Sequence, residues 1–389
     1  MSSRGFDGAK GMLGAVLGLL LIGAIAVGGL VGYRALSDGD NTGNASATAP
    51  ATIPVSTPPP PTPTPAPTPT FTLPSPEPSA TESASASPEP ADTGPGSRTI
   101  DPELQAVAEA AVGDRNIALV ALNVDNGEIV AITGQNDALS GATPPGSTFK
   151  IVTSALLLSK GIVSPNGSAP CPATSNVDGQ PFHNVDNMAI PGATFRQDFA
   201  RSCNTAFIEQ RGKIGTGDLA DFSSTYFGLN SNAWQVKPGL GTVDGKVPAA
   251  GSENEKAAQM IGQGRIQMNA MTMASVVATA ITGEFHQPVL VRGGPVYSTK
   301  AKLPRSVTTA IRGMMADCAT SGTAKDVFRG IPGVGAKTGT AEKGGDTTDG
   351  WMVAYRGKIA VAAYAPGGAS GSKAAGPAVA EFLRAVPAN

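Results

Sequence analysis

Lys337-Thr338-Gly339-Thr340 occurs once in the chain, and it gives chemical meaning to two commoner patterns upstream. Those patterns are Ser147-Thr148-Phe149-Lys150 and Ser202-Cys203-Asn204. In this order the three supply what acyl transfer to a serine needs. Lys150 lies three residues after the Ser147 hydroxyl, so on a helix the two side chains share a face. An ammonium with a reference pKa near 10.4 is a poor base. Burial and a neighbouring cation lower that value, which lets Lys150 take the Ser147 proton. Lys337 adds positive charge near Lys150 and near any substrate carboxylate. On a sheet edge, alternation points Thr338 and Thr340 to one face, Lys337 and Gly339 to the other. Gly339 would then leave room for a substrate backbone joining the strand. The backbone N–H groups of Ser147 and Thr340 would form an oxyanion hole.

The shorter patterns do not select themselves. Ser370-Gly371-Ser372-Lys373 also has the first spacing, and Ser164-Pro165-Asn166 and Ser252-Glu253-Asn254 also have the second. Context separates them. Pro144-Pro145-Gly146 stops the preceding segment, and TFKIVTSALLLSK follows as an apolar helix ending at Gly161. Ser147 therefore falls in a first helical turn, where free N–H groups and the helix dipole favour negative charge. Ser370 lies in a Gly-rich loop. Ser164 follows the Ser147 helix too closely to fold back, and Ser252 reads as solvated loop. Ser202 sits between two apolar-patterned helical stretches, ATFRQDFA and NTAFIEQ, which could bury the turn between them.

The elements that must position these residues run from Arg98 onward. Asp101-Pro102-Glu103 reads as a helix start, with Asp as cap and Pro in the first turn. Leu104, Val107, Ala108 and Ala111 follow at helical spacing. IALVALNV and EIVAIT read as strands joined through Asp125-Asn126-Gly127. GVGAKTGTA, GWMVAY and KIAVAAYA read as three more, the last pair turning at Arg356-Gly357. A helix over about 374–386 closes the chain, and the middle reads as mainly helical. Strands at both ends with helices between predict an α+β domain whose ends share one antiparallel sheet.

Two histidines among 389 residues, His183 and His286, argue against a Ser-His-Asp triad and against a His-built metal site. Cys171, Cys203 and Cys318 lack zinc-site spacing; they allow at most one internal disulfide, whose members the sequence does not choose. A net charge of -2 and a pI near 5.8 leave no footprint for nucleic acid. From Gly11 to Tyr33 no charge appears, enough at about 1.5 Å per residue to cross a hydrocarbon core roughly 30 Å thick. Its length favours an uncleaved anchor over a signal peptide, and Arg4 and Lys10 orient residues 1–10 to the cytoplasm. Residues 34–98 carry 16 of the 33 prolines and read as an unfolded, extended stalk. The catalytic domain, 99–389, is then expected outside the plasma membrane on a single-pass anchor.

Residues 98–389 resemble the transpeptidase domain of the penicillin-binding proteins, especially actinobacterial-type monofunctional ones. The resemblance covers RTIDPELQ from Arg98, PGSTFKI, SCNTAF, AAQMIGQGRIQMNAMTMA from Ala257, and SGTA ahead of KTGTAE. It implies a β-lactamase/transpeptidase-like α+β fold: a five-stranded antiparallel sheet flanked by helices, plus an all-helical subdomain. It implies acylation by D-Ala-D-Ala stem peptides of peptidoglycan, with β-lactams as inhibitors and no cofactor. By that resemblance Ser147 is the nucleophile, Lys150 its base, and Ser202 the relay of a proton to the leaving amine. Asn204 orients Lys150 and the substrate amide, while Lys337, Thr338 and Thr340 hold the terminal carboxylate beside Gly339. The acyl group would pass to an amine in a D,D-transpeptidase, or to water in a D,D-carboxypeptidase. The motifs do not separate the two. A penicillin-binding sensor would need an output domain that ten cytoplasmic residues cannot hold, whereas an extracytoplasmic scaffold with little turnover stays open. Cys203 in the second motif, and no Glu followed four residues later by Asn, speak against a β-lactamase. Nothing before residue 98 reads as a glycosyltransferase or pedestal domain, so membrane partners in wall synthesis would have to be recruited otherwise, or the protein acts alone.

Overall fold

Asp101 accepts hydrogen bonds from the backbone N–H groups of Glu103 and Leu104 and so starts helix α1 (Pro102–Val112), as its sequence predicts. The structure is a computed structural model describing residue 94 and residues 96–388, apart from 135, 238, 239, 241 and 344–346. The expected anchor (11–33), residues 1–10 and all but the last residues of the expected stalk lie outside this range. Among the described residues no helix is long and apolar enough to cross a membrane.

Strands β1 (Ala118–Asn123) and β2 (Ile129–Thr133) form the expected hairpin, with Gly127 at φ 75° in its turn. After helix α2 (Lys150–Ser159) the chain forms a second hairpin, β3 (Thr174–Val177) and β4 (Gln180–His183). That hairpin adds two strands to a middle expected to be mainly helical, and corrects the expectation that all structure outside the large sheet is helical. Its turn residues Asp178 and Gly179 have φ 47° and 83°, the geometry that favours Asp-Gly in two-residue turns. Helices α3 (Phe195–Arg201), α4 (Thr205–Ile208), α5 (Asp218–Phe227), α6 (Glu253–Met260), α7 (Ala270–Thr282) and α8 (Arg305–Thr320) follow. Ser252, expected in solvated loop, instead caps α6 by accepting from the Glu255 N–H. Strands β5 (Val334–Glu342), β6 (Thr348–Arg356) and β7 (Ile359–Ala365) lead into α9 (Gly371–Ala374) and α10 (Gly376–Arg384).

The large sheet is antiparallel in the order β2-β1-β7-β6-β5, so the early strands and the late ones share it. Period-two alternation gives it two apolar faces. Leu119, Ala121, Val361 and Ala363 pack with α1 and α10 through Ala108, Val379 and Phe382. Val120, Leu122, Val353 and Ala362 face α2 and α7 through Phe149, Val152, Met273 and Val277. Every residue of α7 but Thr282 is buried, as a helix apolar on all sides must be. Each fully buried large apolar side chain contributes about 1.5–3 kcal/mol, so a two-sided core of this kind supplies the rigidity the site requires. Strand β5, which carries Lys337 to Thr340, is an edge of the sheet.

Candidate active site

Ser147 lies in a single 3-10 turn, Gly146–Phe149, that runs straight into α2 at Lys150. The turn is pinned on three sides. Trp351 Nε1 on β6 donates to Pro144 O at 3.0 Å, and Gly146 N–H donates to Gly262 O at 3.0 Å. Within the turn, Thr148 Oγ1 donates to Pro145 O at 2.7 Å. Gly146 has φ +51°, and a Cβ there would stand 2.4 Å from Thr340 O. Only glycine lets the Ser147 turn abut the third motif so closely.

Gly339 works the same way, which changes the reason for it. A Cβ there would meet Thr148 Cγ2 at 2.8 Å and Pro145 O at 2.9 Å. The space next to Gly339 is filled by the Ser147 turn itself, not left open for a substrate backbone. Gly262, absent from the sequence-derived site, belongs to the same packing: its φ is +77° and its Cβ would overlap Gly146 O at 2.0 Å.

Lys150 is fully buried. Its Nζ donates to Ser202 O at 2.9 Å and to Asn204 Oδ1 at 2.7 Å, and stands 5.2 Å from the centre of the Phe207 ring. Burial first, then the charge of Lys337, hold this amine well below the ordinary lysine range, with Asp198 opposing them. A neutral amine has two N–H groups and one lone pair. The two acceptors take the N–H groups and leave the lone pair free for a proton. The Ser147 hydroxyl is half-buried and is not hydrogen-bonded to any described residue.

Ser202 occupies the left-handed position that ends α3, at φ 61° and ψ 33°. This strained conformation turns its carbonyl to Lys150 while its Oγ accepts from Lys337 Nζ at 2.8 Å. Lys337 also donates to Thr338 O at 2.9 Å and is fully buried on β5. Burial lowers its amine to about 8, while Cys318 raises it slightly. One serine thus bridges the lysines of the first and third motifs.

Asn204 is fixed from both ends of its amide, since Nδ2 donates to His183 O at 3.0 Å at the end of β4. Behind it lies Asn184, buried and unforeseen. Its Oδ1 accepts from the N–H groups of Asn204 at 2.6 Å and Thr205 at 3.1 Å, serving as the N-terminal cap of α4. Its Nδ2 donates to Pro172 O at 2.7 Å and Met188 O at 2.8 Å. Cys171 and Cys203 are joined in a disulfide, which ties the second motif to the strand pair, and Cys318 is free and buried.

Thr338 and Thr340 point away from Lys337, as strand alternation requires. Thr338 Oγ1 is 2.6 Å from Thr323 Oγ1, in the SGTA stretch after α8. Ser370 precedes α9, where Gly371 packs against the backbone of Trp351 and Gly339, and its Oγ pairs with Ser372 Oγ at 3.3 Å rather than with a motif residue.

The three motifs therefore meet where a half-buried serine, a buried amine of lowered proton affinity, and an edge strand converge, the arrangement of a serine acyltransferase. Residues 117–384 match the family described as "Penicillin binding protein transpeptidase domain", and the chain belongs to it. Among curated proteins it is similar to the peptidoglycan D,D-transpeptidase PbpA of Mycobacterium tuberculosis, 26% identical over 311 residues. It is 30% identical over 270 residues to the enzyme of that name from Mycolicibacterium smegmatis. These alignments cover 72% and 63% of this chain but 58% and 54% of the relatives, so the chain spans little more than half their length. Its fold matches that of penicillin-binding protein A from M. tuberculosis, solved as a ceftriaxone acyl-enzyme complex. There the TM-score is 0.67 at 23% identity, covering 74% of this chain and 79% of that one. It also matches Pseudomonas aeruginosa PBP2, with a TM-score of 0.65 at 23% identity, over 74% and 77% of the two chains.

Proposed function

We propose that this protein is a peptidoglycan D,D-transpeptidase that is acylated at Ser147 by D-Ala-D-Ala stem peptides and by β-lactams. The observation that carries this reading is the buried Lys150 amine, whose two donors are already engaged and whose proton affinity is lowered. Lys150 Nζ takes the Ser147 proton as Oγ attacks the carbonyl carbon of the penultimate D-Ala. The oxyanion is held by the N–H groups of Ser147 and Thr340. Ser202 Oγ passes a proton to the departing D-Ala amine and is resupplied from Lys337, whose Nζ donates to it at 2.8 Å. Asn204 keeps Lys150 aimed and offers its amide to the substrate.

The terminal carboxylate falls to Lys337, Thr338 and Thr340, and Thr323 joins them. Of the two hydroxyls in the Thr323–Thr338 pair, one donates to the other, which leaves one O–H for the carboxylate. Edge strand β5 offers the peptide a backbone to pair with beside Gly339. The acyl-enzyme then waits for an amine from a second stem peptide, or for water in a carboxypeptidase. We assign residues 11–33 as a membrane anchor, 34–98 as a stalk and 99–389 as the catalytic domain outside the membrane. Partners in wall synthesis would be met in that membrane.

Fluorescent penicillin should label the protein covalently, and Ser147→Ala should abolish the label; a labelled variant sinks the site assignment. A pentapeptide ending in D-Ala-D-Ala, incubated with and without an amine acceptor, should give the cross-linked product only with the amine. D-Ala release with no dependence on the amine would assign a carboxypeptidase instead.

A further inference from the structure

The reaction as derived has no task for Asp198, yet this acid is tied electrostatically to the proton-accepting lysine. It lies on the inner side of α3, fully buried, with no hydrogen-bond partner for either carboxylate oxygen. Its backbone is held firmly, the N–H donating to Thr194 O at 3.0 Å and the carbonyl accepting from Cys203 N–H at 2.9 Å. A carboxylate oxygen lies within 4.8 Å of the sulfurs of Cys171 and Cys203. Those sulfurs are bonded to each other, so they offer a metal no thiolate. The two sulfurs belong to a small buried cluster with Ala193 and Ala206. A buried polar group without a partner is costly, and a fold that keeps one has a use for it.

Burial raises this acid to about 7, and the charge of Lys150 draws it back down. In return, the Asp198 charge raises Lys150 against burial and Lys337. The other groups facing Lys150 are Ser202 O, Asn204 Oδ1 and the Phe207 ring, none of which titrates. Around Lys337 stand Ser202 Oγ, the Phe199 ring and the Cys318 thiol.

We propose that Asp198 is a positioning residue for acyl transfer, an unbonded buried carboxyl whose backbone carbonyl anchors the Ser202-Cys203-Asn204 turn that holds Lys150, and which lends that lysine a counter-charge. The proposal rests on Lys150 being the base. With one proton between them, the pair holds either charged Lys150 with ionised Asp198, or neutral Lys150 with protonated Asp198. Only the second arrangement can receive the Ser147 proton. As pH rises Asp198 ionises, the lysine becomes harder to deprotonate, and the acid limb of acylation spreads over a wide range. Above both ionisations Lys150 is neutral beside an ionised Asp198, and there the carboxylate stabilises the ammonium that forms when the Ser147 proton arrives.

The test is the second-order rate of acylation by benzylpenicillin, followed from about pH 5 to about pH 9, in wild type and Asp198→Asn. The variant's acid limb should shrink to a single ionisation and move to lower pH. Near pH 7 its rate, relative to its own plateau, should exceed wild type by about threefold, while the plateau itself falls severalfold. A residue that merely supports α3 would lower the plateau and leave the limb in place, and that result overturns the proposal. Should Asp198→Asn not fold, the Asp198 carboxyl can be followed by isotope-edited infrared in wild type and Lys150→Met. Its titration should move up once its cation is gone; an unmoved titration also overturns the proposal. Failure of the underlying reading is seen separately, as a Lys150→Met protein that acylates at the wild-type rate.

Discussion

Gly339→Ala puts a Cβ 2.8 Å from Thr148 Cγ2, 2.9 Å from Pro145 O and 3.1 Å from Trp351 Cβ, where ordinary contact begins at 3.4 Å. None of the three neighbours gives way freely. Trp351 is fully buried and bonded to Pro144 O, and Pro145 O already accepts from Thr148. Relief requires the Ser147 turn to retreat from β5 by roughly half an ångström. Overpacking of this sort costs about 1–3 kcal/mol. For a domain of this size that is a fall in Tm of about 2–5 °C. A displaced nucleophile should also lose about tenfold in acylation rate, since a whole ångström costs on the order of a hundredfold. Thermal melting and stopped-flow acylation by a chromogenic cephalosporin read the two effects together. If glycine were there only to admit substrate, the alanine variant would acylate slowly at an unchanged Tm. That outcome refutes the reasoning, as would wild-type behaviour in both assays.

Other variants probe other parts of the site. Ser202→Gly relieves the left-handed position while removing the hydroxyl, so its Tm should not fall, whereas Ser202→Ala should cost about 1 kcal/mol. Both should slow acylation, and an Ala variant with wild-type turnover would remove Ser202 from the proton path. Folding raises the Asp198 carboxyl from its ordinary range to about 7. Between about pH 4 and pH 7 the folded state therefore binds the extra proton, and stability falls as pH rises. Asp198→Asn should cancel that fall, gaining Tm on wild type between pH 4 and pH 8; a constant difference would contradict it. Reducing Cys171–Cys203 opens a loop with a sequence separation of 32 and should cost about 2–4 kcal/mol, read as a lower urea midpoint.

The strands and the site were legible to different depths. Asp101, the Asp125-Asn126-Gly127 turn and the period-two runs at both ends give the sheet directly, because local propensity and burial agree there. The β3–β4 hairpin was also readable, from Asp178-Gly179 between short runs, but only one of its strands has buried positions, and the apolar alternation that announces a strand is weak. Lys150, Ser202, Asn204 and Lys337 come together as their motifs suggest, and the Ser147 turn runs directly into Lys150. Asn184 carries no local signal, and Thr323 and Gly262 lie in stretches that share the family resemblance but point to no role, since each acts through a partner far along the chain. Gly339 was found for the wrong reason. Sequence shows that a side chain is missing but not which neighbour occupies its place.

The pairing of β1 with β7 has a consequence for how the molecule is made. Leu119 sits opposite Ala363, so the first hairpin emerges long before its partner and stays an open sheet edge during synthesis. Strand β5 takes its register against β6, and β6 lies between β5 and β7, so the placement of Thr340 waits for the last strands. Contacts this distant in sequence close slowly. A nascent chain that already contains every motif residue therefore remains unreactive until its C-terminal strands arrive.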